Sequence, residues 1–112
     1  GMESELEDCL RYVTEQKDVP LVDLIRKGYV EWGYRKVLDG KKIEKRIDLW
    51  GIHDQCLWVV DYKTGSSRYK DKAFEQMNEY AKTLSDYRSW DGTIKMAAVF
   101  PFSKEIFVKD FT

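Results

Sequence analysis

Cysteine and histidine are scarce in this chain, and their scarcity removes whole classes of chemistry. Cys9 and Cys56 stand alone without a CxxC spacing, and His53 is the one histidine. A zinc site or a four-cysteine iron–sulfur cluster within one chain needs more ligands than that. A histidine-based nucleophilic or acid–base mechanism finds little support, since His53 falls in an expected turn and is given no role. Both cysteines read as buried, reduced thiols of an intracellular, cytoplasmic protein. No GxxxxGK(S/T) run is present, so no P-loop and no nucleotide cofactor is expected. No apolar run approaches the length of a membrane span and no secretory signal is visible, so no membrane partner is expected. Neither sign of charge dominates, with 19 basic against 20 acidic residues. A surface that grips duplex DNA along its backbone usually carries a basic excess, so any affinity for nucleic acid must come from a local patch.

What is present is an ordinary globular composition, 43% hydrophobic and 35% charged over 112 residues. That is enough for one domain, 1–112, with little core to spare. Gly1 ahead of Met2 reads as a remnant of tag removal and is set aside. No internal repeat, low-complexity segment or linker interrupts the chain.

The apolar pattern orders the elements as α-βββ-α-β(-β). Leu6, Cys9, Leu10 and Val13 recur at helical spacing and predict a helix over 3–16. After Asp18-Val19-Pro20, Val22 to Lys27 reads as a short helix with Gly28 as its C-cap. Tyr29 to Leu38 alternates, which predicts a strand with Val30, Trp32, Tyr34 and Leu38 on one face and Glu31 and Arg35 on the other. Asp39-Gly40 is a hairpin turn. A second strand over 43–52, a turn at His53-Asp54-Gln55 and a third strand from Cys56 to Lys63 complete an antiparallel meander. A loop over 64–68 leads to an amphipathic helix, Lys70 to Tyr87, burying Ala73, Phe74, Met77, Tyr80, Ala81 and Leu84. The apolar run Ile94 to Phe100 predicts a buried strand pairing parallel to the third, and Ile106 to Phe111 an edge strand. The fold class expected is therefore α/β (α+β), a mixed central sheet flanked by helices.

Two carboxylates and a lysine stand out on this frame. Asp61 and Lys63 are two apart on a strand and share a face, and the hairpin can bring Asp48 to the same volume. Two carboxylates beside a lysine offer hard oxygen ligands for Mg2+ or Mn2+ and a cation to steer water or offset phosphate charge. Asp48 alternates with Ile47 and Leu49, so it is expected to face away from both, beside Arg46 and Trp50. A solvated strand aspartate is the other reading. Asp61 shares a face with Leu57 and Val59, and a partly buried carboxylate there needs a counter-charge or a metal. Lys63 is kept as ammonium by its neighbours, which speaks against a free-base role and for electrostatic positioning. Gln76 and Tyr80, at i and i+4, share one side of the helix. Arg68, Lys70 and Lys72 follow Ser66 and Ser67 and read either as phosphate contacts or as a solvated helix start.

Arg46-Ile47-Asp48, then Val60-Asp61-Tyr62-Lys63-Thr64-Gly65, then Gln76 with Tyr80 resembles the PD-(D/E)XK nuclease superfamily. Within it the match is to the RecB-like branch, which reads Gly-x-Ile-Asp, a short hairpin, Asp-Tyr-Lys-Thr-Gly and a helix with Gln-x-x-x-Tyr. The resemblance spans positions 28 to 84. Lys45 stands where that branch often has glycine, and the proline of the family name is missing, as is common there. The resemblance implies a restriction-endonuclease-like core and a divalent-metal-dependent, exonuclease-type enzyme. Such an enzyme hydrolyses DNA phosphodiesters to a 5′-phosphate product in recombination, repair or phage DNA processing. It implies Asp48, Asp61 and Lys63 as catalytic residues. Mg2+, with Mn2+ as the alternative, would be held by Asp48, Asp61 and the backbone carbonyl of Tyr62. Gln76 and Tyr80 would orient Lys63 or a DNA phosphate, Arg68 and Lys70 would bind substrate, and Glu31 would be an accessory acid. Some relatives carry an iron–sulfur cluster, which this chain cannot. Its small size points to a homo-oligomer, to a part of a longer protein, or to a partner such as a helicase or recombinase. The competing expectations are a catalytically silent nuclease-fold module binding nucleic acid or protein, and a small structural domain with merely surface charges.

Overall fold

The computed structural model describes residues 7, 8, 11, 12 and 15–112. Of the expected N-terminal helix, Glu7, Asp8, Arg11, Tyr12 and Glu15 are helical, while Leu6, Cys9, Leu10 and Val13 lie outside the described residues. The elements that follow are α1 (Leu21–Lys27), β1 (Tyr29–Leu38), β2 (Lys41–His53), β3 (Cys56–Tyr62), a 3-10 turn (Ser67–Tyr69), α2 (Lys70–Arg88), β4 (Ile94–Phe100) and β5 (Glu105–Asp110). They form an α+β fold around one five-stranded mixed sheet in the order β1-β2-β3-β4-β5. β2 runs antiparallel to both β1 and β3, α2 crosses over so that β4 lies parallel to β3, and β5 returns antiparallel. No described helix is long and apolar enough to cross a membrane.

The sheet is covered on both faces. Helix α2 buries Ala73, Phe74, Met77, Tyr80, Ala81 and Leu84, the side its spacing defines. These pack on Ile47, Trp50, Leu57, Val59, Met96 and Ala98. The opposite face packs Val19, Leu21 and Leu24 on Leu49, Trp58, Val60, Ala97 and Val99. Strands buried on both sides cannot alternate polar and apolar, which is why Leu57 to Val60 and Met96 to Phe100 read as unbroken apolar runs. Each such side chain stabilises the fold by about 1.5–3 kcal/mol.

Gly28 does close α1, its amide donating to the Leu24 carbonyl at 2.7 Å. Its φ of −88° is not left-handed, however, so the glycine answers a different need. A Cβ there would stand 2.5 Å from the carbonyl oxygens of Leu24 and Trp50. Close packing of α1 on β2, rather than a left-handed cap, demands the missing side chain.

The first two strands depart from simple alternation. Tyr29 and Trp32, three residues apart, both pack on Trp50, with ring centroids at 4.3 and 5.7 Å. Ile47 and Trp50, also three apart, both belong to the core under α2, whereas Leu49 belongs to the other. The cause lies at Glu31, whose φ of 51° is left-handed and shifts the side-chain parity by one. Pairing continues on either side, Val30 with Leu49 and Trp32 with Ile47, and skips Glu31 and Asp48 between them. Trp32 and Tyr34 therefore do face α2, but Val30 falls with Leu49 on the other side, and Leu38 stands exposed far from the core. Ile47 and Leu49 do not share a face, as alternation predicts; Asp48 sits at the crossover between them.

Candidate metal centre

β2 and β3 pair regularly from His53–Cys56 to Leu49–Val60. One further step would set Asp48 opposite Asp61, but the ladder ends there. Instead, Asp48 Oδ2 accepts a hydrogen bond from the Tyr62 amide at 2.9 Å. β3 meanwhile stays bound to β4, with Tyr62 beside Val99 and the Lys63 amide donating to the Val99 carbonyl at 2.9 Å. The third strand thus follows its parallel neighbour just where it leaves β2. The two acids lie at the mouth of the resulting wedge, Asp48 tethered by a charge-assisted bond.

Asp61 is the one buried polar or charged side chain among the described residues, only 4% exposed. Its Oδ2 lies 3.0 Å from Lys63 Nζ, in an ion pair whose hydrogen-bond alignment is poor. Burial pushes the Asp61 carboxyl up to about 6; the adjacent Asp48 carboxylate adds to the rise and Lys63 opposes it. A buried carboxylate facing a second carboxylate, with one lysine against the two, is what a hard cation would satisfy, so the donor set fits Mg2+ or Mn2+. No third Asp, Glu, His or Cys joins the pair among the described residues. A cation there would complete its shell from backbone oxygen, the Tyr62 carbonyl being nearest in sequence, and from water and substrate. The Tyr62 ring itself packs on the opposite face of the sheet.

Helix α2 supplies the rest of the wall. Lys63 Nζ donates to Gln76 Oε1 at 3.2 Å, so Gln76 anchors the ammonium. One turn on, Tyr80 is buried and meets Tyr34 edge-on at 6.3 Å. Burial first, then the Asp61 and Asp48 charges, push its hydroxyl up to about 12, so it remains a donor at neutral pH. The neighbouring Glu79 accepts from Tyr34 Oη at 2.8 Å and from Lys36 Nζ, tying α2 to β1.

Lys63 and Gln76 open onto a cleft of about 360 Å3, lined also by Gly65, Ser66, Tyr69 and Lys72. The two basic residues expected at the site are not in its walls. Arg68 stays with Tyr69, donating to its hydroxyl at 3.1 Å and lying 5.0 Å over its ring. Lys70 turns toward β5, its ammonium 4.4 Å above the Phe107 ring. Lys72, read from the sequence together with them, does line the cleft. The signal was available in the spacing, because 72, 76 and 80 are successive i, i+4 positions on one side of the helix, and 70 is not. Glu31 stands across from Asp48 in the strand register, but its left-handed backbone leaves the side chain exposed and outside the acid pair. Tyr69 was missed altogether; only its place at the end of the Thr-Gly-Ser-Ser-Arg loop hinted at it.

No known protein-family model matches the chain, and no curated protein matches it.

Proposed function

We propose that the chain is a divalent-metal-dependent nuclease of the PD-(D/E)XK, RecB-like kind that hydrolyses DNA phosphodiesters on a restriction-endonuclease-like core. The observation that carries this reading is the Asp61 carboxylate, buried between the Asp48 carboxylate and the Lys63 ammonium. The order of meander, crossover helix and parallel strand supports the same reading, because the two acids lie where β2 parts from β3.

A bound Mg2+ or Mn2+ would offset the two carboxylates and supply Lewis acidity at the phosphate. The chain's own residues do the remaining work. Asp48 is oriented by the Tyr62 amide and Asp61 by the strand, so both ligands are set before the cation arrives. Lys63, fixed by Gln76 and Asp61, holds its ammonium at the cleft for a phosphate oxygen or the attacking water. Lys72 offers a second positive charge on the same wall. Tyr80 keeps its proton within the field of the two carboxylates. Placement in recombination, repair or phage DNA processing, and a helicase, recombinase or second copy as partner, follow from the family resemblance alone.

The test is cleavage of end-labelled linear and circular DNA with Mg2+, with Mn2+ and with EDTA, with Lys63→Ala alongside. Metal-dependent cutting that disappears in the variant is the expected result. Absence of cutting with either metal by a folded protein would favour a silent nuclease-fold module.

A further inference from the structure

Beyond the wedge, β1 and β2 continue as a two-stranded ribbon, and its composition is unlike that of the rest of the molecule. Residues 35–46 hold six basic residues against two acidic ones, whereas the remainder of the chain holds thirteen against eighteen. We propose that this ribbon is an arm that binds double-stranded DNA and leads it to the Asp48–Asp61 site, an inference that rests on the nuclease reading above for the substrate it delivers.

The geometry suits a groove. Residues 41–48 of β2 pair with β1 alone, since the ladder to β3 begins at Leu49. The tip turns on Asp39 and Gly40, with φ of 52° and 77°, the tight two-residue turn that keeps the strands close. Two strands about 5 Å apart, with their side chains, match a major groove about 12 Å wide. From Arg46 to Lys41 the arm runs roughly 17–20 Å at about 3.3 Å per residue, and it starts two residues from Asp48.

The charges are available. Lys41, Lys42 and Arg46 are exposed and make no ion pair among the described residues, while Arg35 is 3.3 Å from Glu44. The base is held rigid by Tyr34 and Lys36 on Glu79. Between Arg35 and Arg46 lies a hollow of about 440 Å3 floored by Gly33. A Cβ at Gly33 would meet only the Lys45 carbonyl oxygen at 3.7 Å, so packing does not require glycine there. Val37 and Leu38 are 68% and 52% exposed at the tip and suit contact with thymine methyls or sugar edges. Duplex is favoured over single strand because the arm carries no exposed aromatic ring on which bases would stack.

Fluorescence anisotropy with a labelled duplex of about two helical turns, in EDTA to prevent cutting, decides the matter. The double variant Lys41→Glu/Lys42→Glu should bind at least tenfold more weakly and show a salt slope shallower by about two between roughly 50 and 200 mM. Arg46→Glu should weaken binding separately, and circular dichroism should find all variants as stable as the parent. Unchanged duplex binding in the ribbon variants, or stronger binding to the same sequence as single strand or to phosphatidylserine vesicles, overturns the proposal. Ribbon-dependent binding by a protein that never cuts would uphold the arm and overturn the nuclease reading. Cutting that the ribbon variants leave untouched would do the reverse.

Discussion

Asp61 sets metal-free stability against readiness for a cation. An unfolded aspartate titrates near 3.9, and burial raises this one to about 6 in the fold. Between those values the folded chain holds the extra proton, so stability is greatest at the acid end of the window and is lost as pH rises from about 4 to about 6. At about 1.4 kcal/mol per pKa unit the loss is on the order of 3 kcal/mol. Urea unfolding in EDTA across this range should show that fall in the parent and not in Asp61→Asn. At pH 7 without metal the variant should be as stable as the parent or more so. Mg2+ should raise the melting temperature of the parent only, and an equal rise in Asp61→Asn would remove Asp61 from the ligand set. Lys63→Ala leaves the carboxylate with no counter-charge; it should lose cutting and, in EDTA, about 1–3 kcal/mol of stability.

Elements follow patterns more faithfully than single residues do. All six buried positions of α2 and the bounds of β1 and β4 were legible, because amphipathic spacing and apolar runs record burial directly. The meander, the parallel β4 and the meeting of Asp48, Asp61, Lys63 and Gln76 were legible too. The parity shift was not, since a glutamate in a left-handed conformation leaves no trace in periodicity. Nor was the turning of Lys70 to Phe107, a contact between residues 37 positions apart. Gly28 and Gly33 look alike in sequence and differ in space. Gly28→Ala forces a Cβ against two backbone carbonyls and should cost about 3 kcal/mol or more in urea unfolding. Gly33→Ala meets only ordinary contact and should be tolerated within about 1 kcal/mol. Helix α2 is pinned to β1 through Glu79, whose carboxyl is held below the usual range by Lys36 and Tyr34. That contribution is present above the unfolded carboxyl pKa and lost as pH falls through the folded one. Glu79→Ala should cost about 1–2 kcal/mol at neutral pH, with Glu79→Gln recovering part through Tyr34.

Across the molecule, order is concentrated at the centre of the sheet. Val59, Val60, Ala97, Ala98 and Val99 are fully buried in the two strands joined by the parallel ladder. Hydrogen exchange should be slowest there and fastest at the ribbon tip around Asp39 and Gly40. Rapid exchange in β3 and β4 would contradict the two-sided core. Charge is partitioned the other way, acidic over the body and basic along the ribbon, so a near-neutral total conceals two oppositely charged regions.

Among the described residues, the sheet order leaves the outer side of β1 without a strand beside it for ten residues. A bare edge of that length invites another chain to add its own backbone, the first step toward ordered aggregates. The break at Glu31 spoils the hydrogen-bond spacing such an intruder would need, and Arg35 and Lys36 set like charges against a second copy. Neutral β-formers at Arg35 and Lys36 should therefore bring turbidity at concentrations where glutamate replacements stay clear, a difference that light scattering reads without any reference to DNA.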